Sequence, residues 1–487
     1  MNCRLIISAL LIIPVISHAQ SRIAPPEEKL GTYIIDHGSG LDTGCTFRGG
    51  GPLLIKVPVP AVVNPTEINE QGYLRNPQKL INNKVIGKTA KVFFPAYDVD
   101  DKAVVEPPDQ PEIDLIKFND NSYDKDKLEG LNGAWVMQSI EIPITDLKFG
   151  DNNHNILRID IDTGNVSNGE LWCTAVDWVG VEFDVAAPYV LAHGIAADAT
   201  TWDAAHGPEV LAYLNELGVR WERFSAQPNG STATNARLLH DLLVPWLEGL
   251  RSDRFHVIAH SKGGLDYQMM QFIYGDRDYK ILSLSTMSTP HLGSVAADLN
   301  LLERDKMTNH NSIENISPDP DGWVNAYLNN VWEVVNIGEG PDLPGLFDLQ
   351  TLNSAAQLNI GQRGNIASTF TIGASADLNR NGEWQCSEGE FMAPWPFSCQ
   401  LGNAWQVLRR YSSASMVRVD EGWFGRTTLV IETAPTQGLQ DNDAAVTVGS
   451  ANPGYGTFVQ NDMANHTAIK NRRNVQALVE RTIELRE

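Results

Sequence analysis

From about Ala186 onward the sequence repeats one grammar: a short apolar run, a turn, then a stretch of helical spacing. PYVLAHG leads to GPEVLAYLNELG, VRWERFSA to TNARLLHDLLVPWLEGL, and FHVIAH to GLDYQMMQFIYG, after which ILSLSTMST supplies another apolar run. A strand followed by a crossover helix returns the chain in the same direction. This alternation therefore implies βαβ units and a parallel sheet with helices on both faces, an α/β fold over residues 186–487. A less periodic segment at about 295–365, with its own helical patch WVNAYLNNVWEVVNI, reads as an insertion over the sheet. The sheet resumes at ASTFTIGA, a second excursion occupies about 377–430, and the amphipathic run IKNRRNVQALVERTIELR closes the chain.

Residues 20–185 have a different pattern. LLIKVPVPAVV, KVFFPAY, AWVMQSIEIPI, ILRIDID and VDWVGVEFDV are short alternating or apolar runs between clusters of Pro, Gly, Asn and Asp. Such spacing predicts an all-β accessory domain, a sandwich or jelly roll. It is either a substrate-binding module or a structural appendage of the α/β region. With 487 residues and 42% hydrophobic side chains, the chain can bury a sizeable core and sits far from disordered compositions. Its 37 basic and 60 acidic residues leave a net charge of −23, which argues against nucleic acid or anionic lipid headgroups as partners.

Residues 1–19, MNCRLIISALLIIPVISHA, combine Arg4, an apolar run from Leu5 to Ile16 and the small-x-small ending Ser17-His18-Ala19. That is the pattern of a signal peptide, so an exported protein is expected, extracellular or periplasmic. No other stretch approaches the roughly 18 continuous apolar residues of a membrane span. Cys3 would leave with the leader, and Cys45, Cys173, Cys386 and Cys399 remain. Three pairings are open to four cysteines, and their distribution favours Cys45–Cys173 and Cys386–Cys399 in an oxidising compartment.

The most informative short string is AHSKGG, Ala259 to Gly264, between the run FHVI and a helix. A nucleophile elbow needs that strand–turn–helix context, with small residues two before and two after the nucleophile; Ala259 and Gly263 meet the need. Ser261 would present its Oγ above the sheet edge, near a helix N-terminus that favours developing negative charge. Ala192-His193-Gly194-Ile195 ends the first strand of the α/β region, where the second half of an oxyanion hole belongs. The backbone amides of Lys262 and Ile195 are the candidate donors, with His193 shaping the loop.

Together, PYVLAHGIAADATTW, FHVIAHSKGGLDY and STMSTPHLGS resemble the α/β-hydrolase lipases, in particular bacterial secreted triacylglycerol lipases, over about Pro188–Ser294. The resemblance implies an α/β-hydrolase fold and a triad in the chain order Ser, acid, His. Only His291, His310 and His466 come after Ser261. His291 belongs to the TPHLGS segment and His310 to a polar stretch. The MANHTAIKN string around His466 is similar to the segment bearing the family's catalytic histidine. Asn442-Asp443-Ala444-Ala445-Val446 resembles the family's Asn-Asp-Gly-x-Val, which maps the catalytic acid onto Asp443 with Ala444 in place of Gly. Asp441 and Asp377 are rivals.

Residues 377–388, DLNRNGEWQCSE, match an EF-hand-type loop, with Asp377, Asn379, Asn381, the Glu383 carbonyl and Glu388 as oxygen ligands and Gly382 at the sharp turn. A structural calcium ion is expected there, and no cofactor for catalysis. The sequence therefore predicts a secreted serine hydrolase of carboxylic esters, a lipase or esterase. The 295–365 insertion, with Trp323, Tyr327 and Trp332, is a candidate lid. A polyester depolymerase or carbohydrate esterase, and a non-catalytic binding protein on the same scaffold, are the competing readings.

Overall fold

The computed structural model describes residues 22–36, 46–47, 51–99, 113–124, 126–129, 133–161, 163, 173–203, 209–275, 277–309, 313–317, 322, 324, 344–351, 366, 368–377, 401–421, 426–461 and 464–486. The leader, Cys45, Cys386, Cys399, His310, the aromatic residues of the candidate lid and most of the calcium-type loop lie outside these residues, as does the side chain of Cys173.

The first part of the chain forms two antiparallel sheets. One contains β1 (Thr32–Asp36), β2 (Thr46–Phe47), β4 (Ile86–Val99), β6 (Ala134–Pro143), β8 (Cys173–Val176) and β9 (Trp178–Val185); the other contains β3 (Leu53–Pro58), β5 (Leu115–Phe118) and β7 (His154–Asp160). Strand alternation decides which face is buried. In β3, Leu53, Ile55 and Val57 point inward while Leu54 and Lys56 are exposed. In β6, Gln138, Ile140 and Ile142 are buried while Met137, Ser139 and Glu141 face out. A short helix, α1 (Pro77–Asn82), starts on proline and is capped by Asn76, whose side chain accepts the Lys79 amide.

The second part is built on six parallel strands in the order β11-β10-β12-β13-β15-β18: β10 (Tyr189–Ala192), β11 (Trp221–Arg223), β12 (Arg254–His260), β13 (Lys280–Met287), β15 (Ser368–Ala374) and β18 (Thr457–Asn461). Helices α2 (Val210–Leu217), α3 (Thr232–Leu250) and α4 (Gly263–Tyr274) come after β10, β11 and β12 in the crossovers. The chain leaves β10 for β11 on one side and then crosses to β12 on the other. The crevice at the C-terminal ends of β10 and β12 is thus the topological switch point at which such sheets bind ligands.

One apolar core runs through both parts. Ile55, Phe94 and Val181 of the antiparallel sheets share a cluster with Tyr189, Leu191, Trp202 and Leu214, and with Leu478 of the closing helix Arg472–Thr482. The change of grammar at residue 186 is therefore not a break in packing.

The two insertions, read separately in the sequence, meet in space. After α5 (Val295–Asn309), β14 (Ile313–Ser317) pairs in parallel with β17 (Arg426–Pro435), which pairs antiparallel with β16 (Tyr411–Glu421). Val295 and Leu299 of α5 pack with Val407, Leu408, Tyr411 and Ile431. No described helix is long and apolar enough to cross a membrane.

Candidate active site

Ser261 comes directly after β12 and has φ +54, in the left-handed region that costs a non-glycine residue energy and marks a tight functional turn. Its amide donates to the Met287 carbonyl at 2.9 Å, and its own carbonyl accepts the Thr289 hydroxyl at 2.7 Å, so β13 and the loop beyond it hold the turn. Two glycines make the turn possible. A methyl at Gly263 would run into the His193 carbonyl, and one at Gly264 into the Thr289 side chain.

His466 lies after the last strand, β18, just before the closing helix. Its Nε2 is 3.0 Å from Ser261 Oγ and its Nδ1 is 2.9 Å from Asp443 Oδ2. A carboxylate only accepts, so Nδ1 carries the proton and the bare Nε2 accepts the Ser261 hydroxyl. Asp443 is fully buried, and its other oxygen accepts the amides of Ala445 and Val446 at 2.9 and 2.7 Å. The serine is 4% exposed and the histidine side chain 17%, so the group open to solvent is the imidazole.

Ala444 adopts φ +79, the left-handed conformation that glycine would take without penalty. The turn thus keeps a glycine-like backbone despite the Ala. Two serines tie it to the TPHLGS segment: Ser294 Oγ donates to the Ala445 carbonyl at 2.6 Å, and Ser450 Oγ to the Gly293 carbonyl at 2.6 Å. Sequence reasoning assigned those serines no such role. Hydroxyls that bond residues more than 150 positions away leave no local signature.

Of the rivals, Asp441 is exposed and accepts Gln460 Nε2 at 3.3 Å, while Asp377 lies 3.5 Å from the Arg409 guanidinium. His291 is buried, with Nε2 3.3 Å from Thr286 Oγ1, and burial pushes its pKa down to about 3. The remaining candidate calcium ligands, Asn379, Asn381, Glu383 and Glu388, lie outside the described residues.

The Gly194 backbone lies against the serine: a methyl there would come within 2.7 Å of Ser261 Cβ and 3.2 Å of its Oγ. Neither the Ile195 nor the Lys262 amide has an acceptor among the described residues. His193 fixes the loop that carries Ile195. Its Nε2 accepts the Ala226 amide at 2.9 Å, so Nδ1 is protonated and donates to the Gly194 carbonyl at 2.8 Å. Burial lowers its pKa, which favours this neutral form.

Lys262 is 1% exposed, with Nζ 2.6 Å from Asp266 Oδ1 one helical turn on. Asn235 donates to the second Asp266 oxygen at 3.0 Å, and burial raises the Asp266 pKa against the pull of Lys262. Another buried cation, Lys470, lies on the His466 segment and donates to the Thr201 hydroxyl; burial pushes its pKa down to about 8. Sequence reasoning singled out neither Asp266 nor Lys470.

A serine on a strand–turn–helix elbow, amides from an early loop and a histidine after the last strand form an arrangement similar to that of α/β-hydrolases. No family model matches the chain. A triacylglycerol lipase of Saccharomyces cerevisiae is 54% identical over 43 residues, which is 9% of this chain and 13% of that lipase's length. Among solved structures, the chain is similar to a Bacillus licheniformis lipase in its mature form (16% identity, 61% of this chain and 92% of the other, TM-score 0.40). It is also similar to a metagenomic carboxyl esterase (16%, 58% and 64%, TM-score 0.32) and an extracellular α/β-hydrolase from a Paenibacillus species (14%, 60% and 98%, TM-score 0.28).

Proposed function

We propose that this chain is a serine hydrolase that cleaves carboxylic esters through an acyl-enzyme. The observation that carries the reading is the unbroken path from Ser261 Oγ through the His466 ring to Asp443, with 3.0 and 2.9 Å gaps. In the first half-reaction Ser261 Oγ attacks the acyl carbon and its proton passes to His466 Nε2. The imidazolium is stabilised by Asp443, and the oxyanion is held by the amides of Ile195 and Lys262. As the carbonyl reforms, the C–O bond to the alcohol breaks and His466 returns the proton to the departing oxygen. Water then repeats the sequence on the acyl-enzyme and restores the Ser261 hydroxyl.

The short stretch of identity with a triacylglycerol lipase supports lipid esters as the substrate class. The apolar leader supports export, and the 377–388 string a structural calcium site. A second reading, action on a polymeric ester gripped by the β region, is favoured by one feature. Tyr97 and Trp135 sit opposite each other on β4 and β6, half-buried, with ring centroids 5.4 Å apart, and the exposed Met137 is beside them.

The test is a panel of p-nitrophenyl esters, triglycerides, polyesters and acetylated glycans, run on wild type and Ser261→Ala with fluorophosphonate labelling. Turnover and labelling of wild type alone are expected. Activity that survives in the variant, or no adduct at Ser261, rejects the assignment.

A further inference from the structure

His260 ends β12 and is the residue immediately before Ser261. Its ring is buried, at 6% exposure, beside the ring of His466. Nε2 lies 2.7 Å from the main-chain carbonyl oxygen of His466, and the two rings pack with centroids 4.8 Å apart at 50°. A carbonyl only accepts, so His260 donates from Nε2 and holds the neutral Nε2-H tautomer. Burial and the nearby Lys470 charge lower its pKa well below the ordinary range, which favours that uncharged form. The other ring nitrogen lies near Gly194, where a methyl would come within 3.4 Å of it.

This contact completes a clamp. The His466 amide donates to the Asp443 carbonyl at 2.9 Å, its Nδ1 bonds the Asp443 carboxylate, and its carbonyl accepts from His260 Nε2. The first two contacts refer the base to the acid turn, and in the third the imidazole of His260 keeps its proton and donates a hydrogen bond. The third ties the base to the strand that carries the nucleophile, across 206 residues of sequence. Lys470 and the buried Ile469 also anchor this segment, but the His260 contact is the one that runs from the main chain of the base itself to the residue before the nucleophile.

Resting on the serine hydrolase reading, we propose that His260 is a positioning residue that sets the His466–Ser261 distance by donating to the His466 carbonyl. It takes no part in proton transfer to substrate. It acts on catalysis, because a nucleophile–base pair misplaced by about 1 Å loses on the order of 100-fold in rate.

The experiment compares wild type, His260→Leu and His260→Gln on one soluble ester, with thermal melts to check folding. The Gln amide nitrogen mimics imidazole Nε2, whereas Leu fills the space without a donor. The expected result is a kcat loss of at least about tenfold for His260→Leu with KM within about twofold of wild type. His260→Gln should recover most of kcat, and fluorophosphonate labelling rates should fall in the same order. A folded His260→Leu with wild-type kcat, or equal impairment of Leu and Gln, would overturn the proposal. If His260→Leu does not fold, His260→Asn replaces it. Its shorter amide should not reach the carbonyl, so Asn and Gln behaving alike would also overturn the proposal. Ser261→Ala, assayed in parallel, separates the two levels: activity surviving there rejects the function, whereas an inert Ser261→Ala with an active His260→Leu rejects only the role of His260.

Discussion

Asp443 meets His466 twice: its main-chain carbonyl accepts the His466 amide at 2.9 Å, and its Oδ2 lies 2.9 Å from Nδ1 of the ring. One residue thus sets both the position of the loop and the tautomer of the imidazole. Its remaining oxygen caps two amides of its own turn.

That division of labour predicts the behaviour of Asp443→Asn. The amide oxygen can still cap Ala445 and Val446, so the melting temperature should stay close to wild type. The NH2 group, however, faces Nδ1 and demands an acceptor, which moves the ring proton to Nε2 and removes the base. A kcat loss on the order of 10⁴ is expected, the size seen when this tautomer control is lost in comparable triads. Ester turnover and a thermal melt on the same preparation check both halves; an active Asp443→Asn would rule Asp443 out as the acid.

Gly194→Ala probes the oxyanion side. The added methyl would sit 2.7 Å from Ser261 Cβ, so the loop must retreat and carry the Ile195 amide with it. Loss of one oxyanion donor is worth about 10²–10³ in kcat. A fall of that size is expected, with KM changed far less. Steady-state kinetics decide it, and an unimpaired variant would mean that this loop supplies no donor.

Acid should unfold the protein through its buried histidines. Burial pushes the pKa values of His256 and His291 down to about 3 and lowers that of His260 as well, whereas the unfolded chain titrates near 6.5. The unfolded state therefore binds more protons between these values. The stability contributed by the uncharged rings is fully present above about pH 6.5 and is lost as pH falls toward 3, by up to about 1.4 kcal/mol per pH unit for each histidine. Denaturant melts from pH 7.5 to 4.5 should show this slope, and His291→Asn should flatten it by the share of one residue.

Chelation tests the loop at 377–388. A bound calcium stabilises the folded state by about 3–4 kcal/mol when present at 100 to 1,000 times its dissociation constant. EDTA should lower the melting temperature, and calcium but not magnesium should restore it. An unchanged melt removes the calcium reading. In that case Asp377 is accounted for by its approach to Arg409.

What was legible in the sequence was local. Ala259 and Gly263, two before and two after Ser261, announce a tight strand-to-helix turn; at Gly263 a side chain would run into the His193 carbonyl. The alternation after Ala186 announces the parallel sheet, because a crossover helix leaves its mark at every step. Two other features were hidden. Residues 295–365 and 377–430 read as separate excursions, yet β14 and β17 pair across them. The change of pattern at residue 186 reads as a boundary, yet a single core spans it. Neither has a periodic signature, since each depends on contacts between distant segments.

The sequence alone determined the kinds of element, the turn that carries Ser261, and a short list of histidines and carboxylates that could serve it. Only the tertiary structure brings Asp443 to the His466 ring while Asp441 meets Gln460 and Asp377 approaches Arg409, and only there does the His260 contact with His466 emerge. The physical reason is distance. A hydrogen bond acts over about 3 Å, and residues separated by 23 or 206 positions reach that range only once the sheet and its loops have set their places.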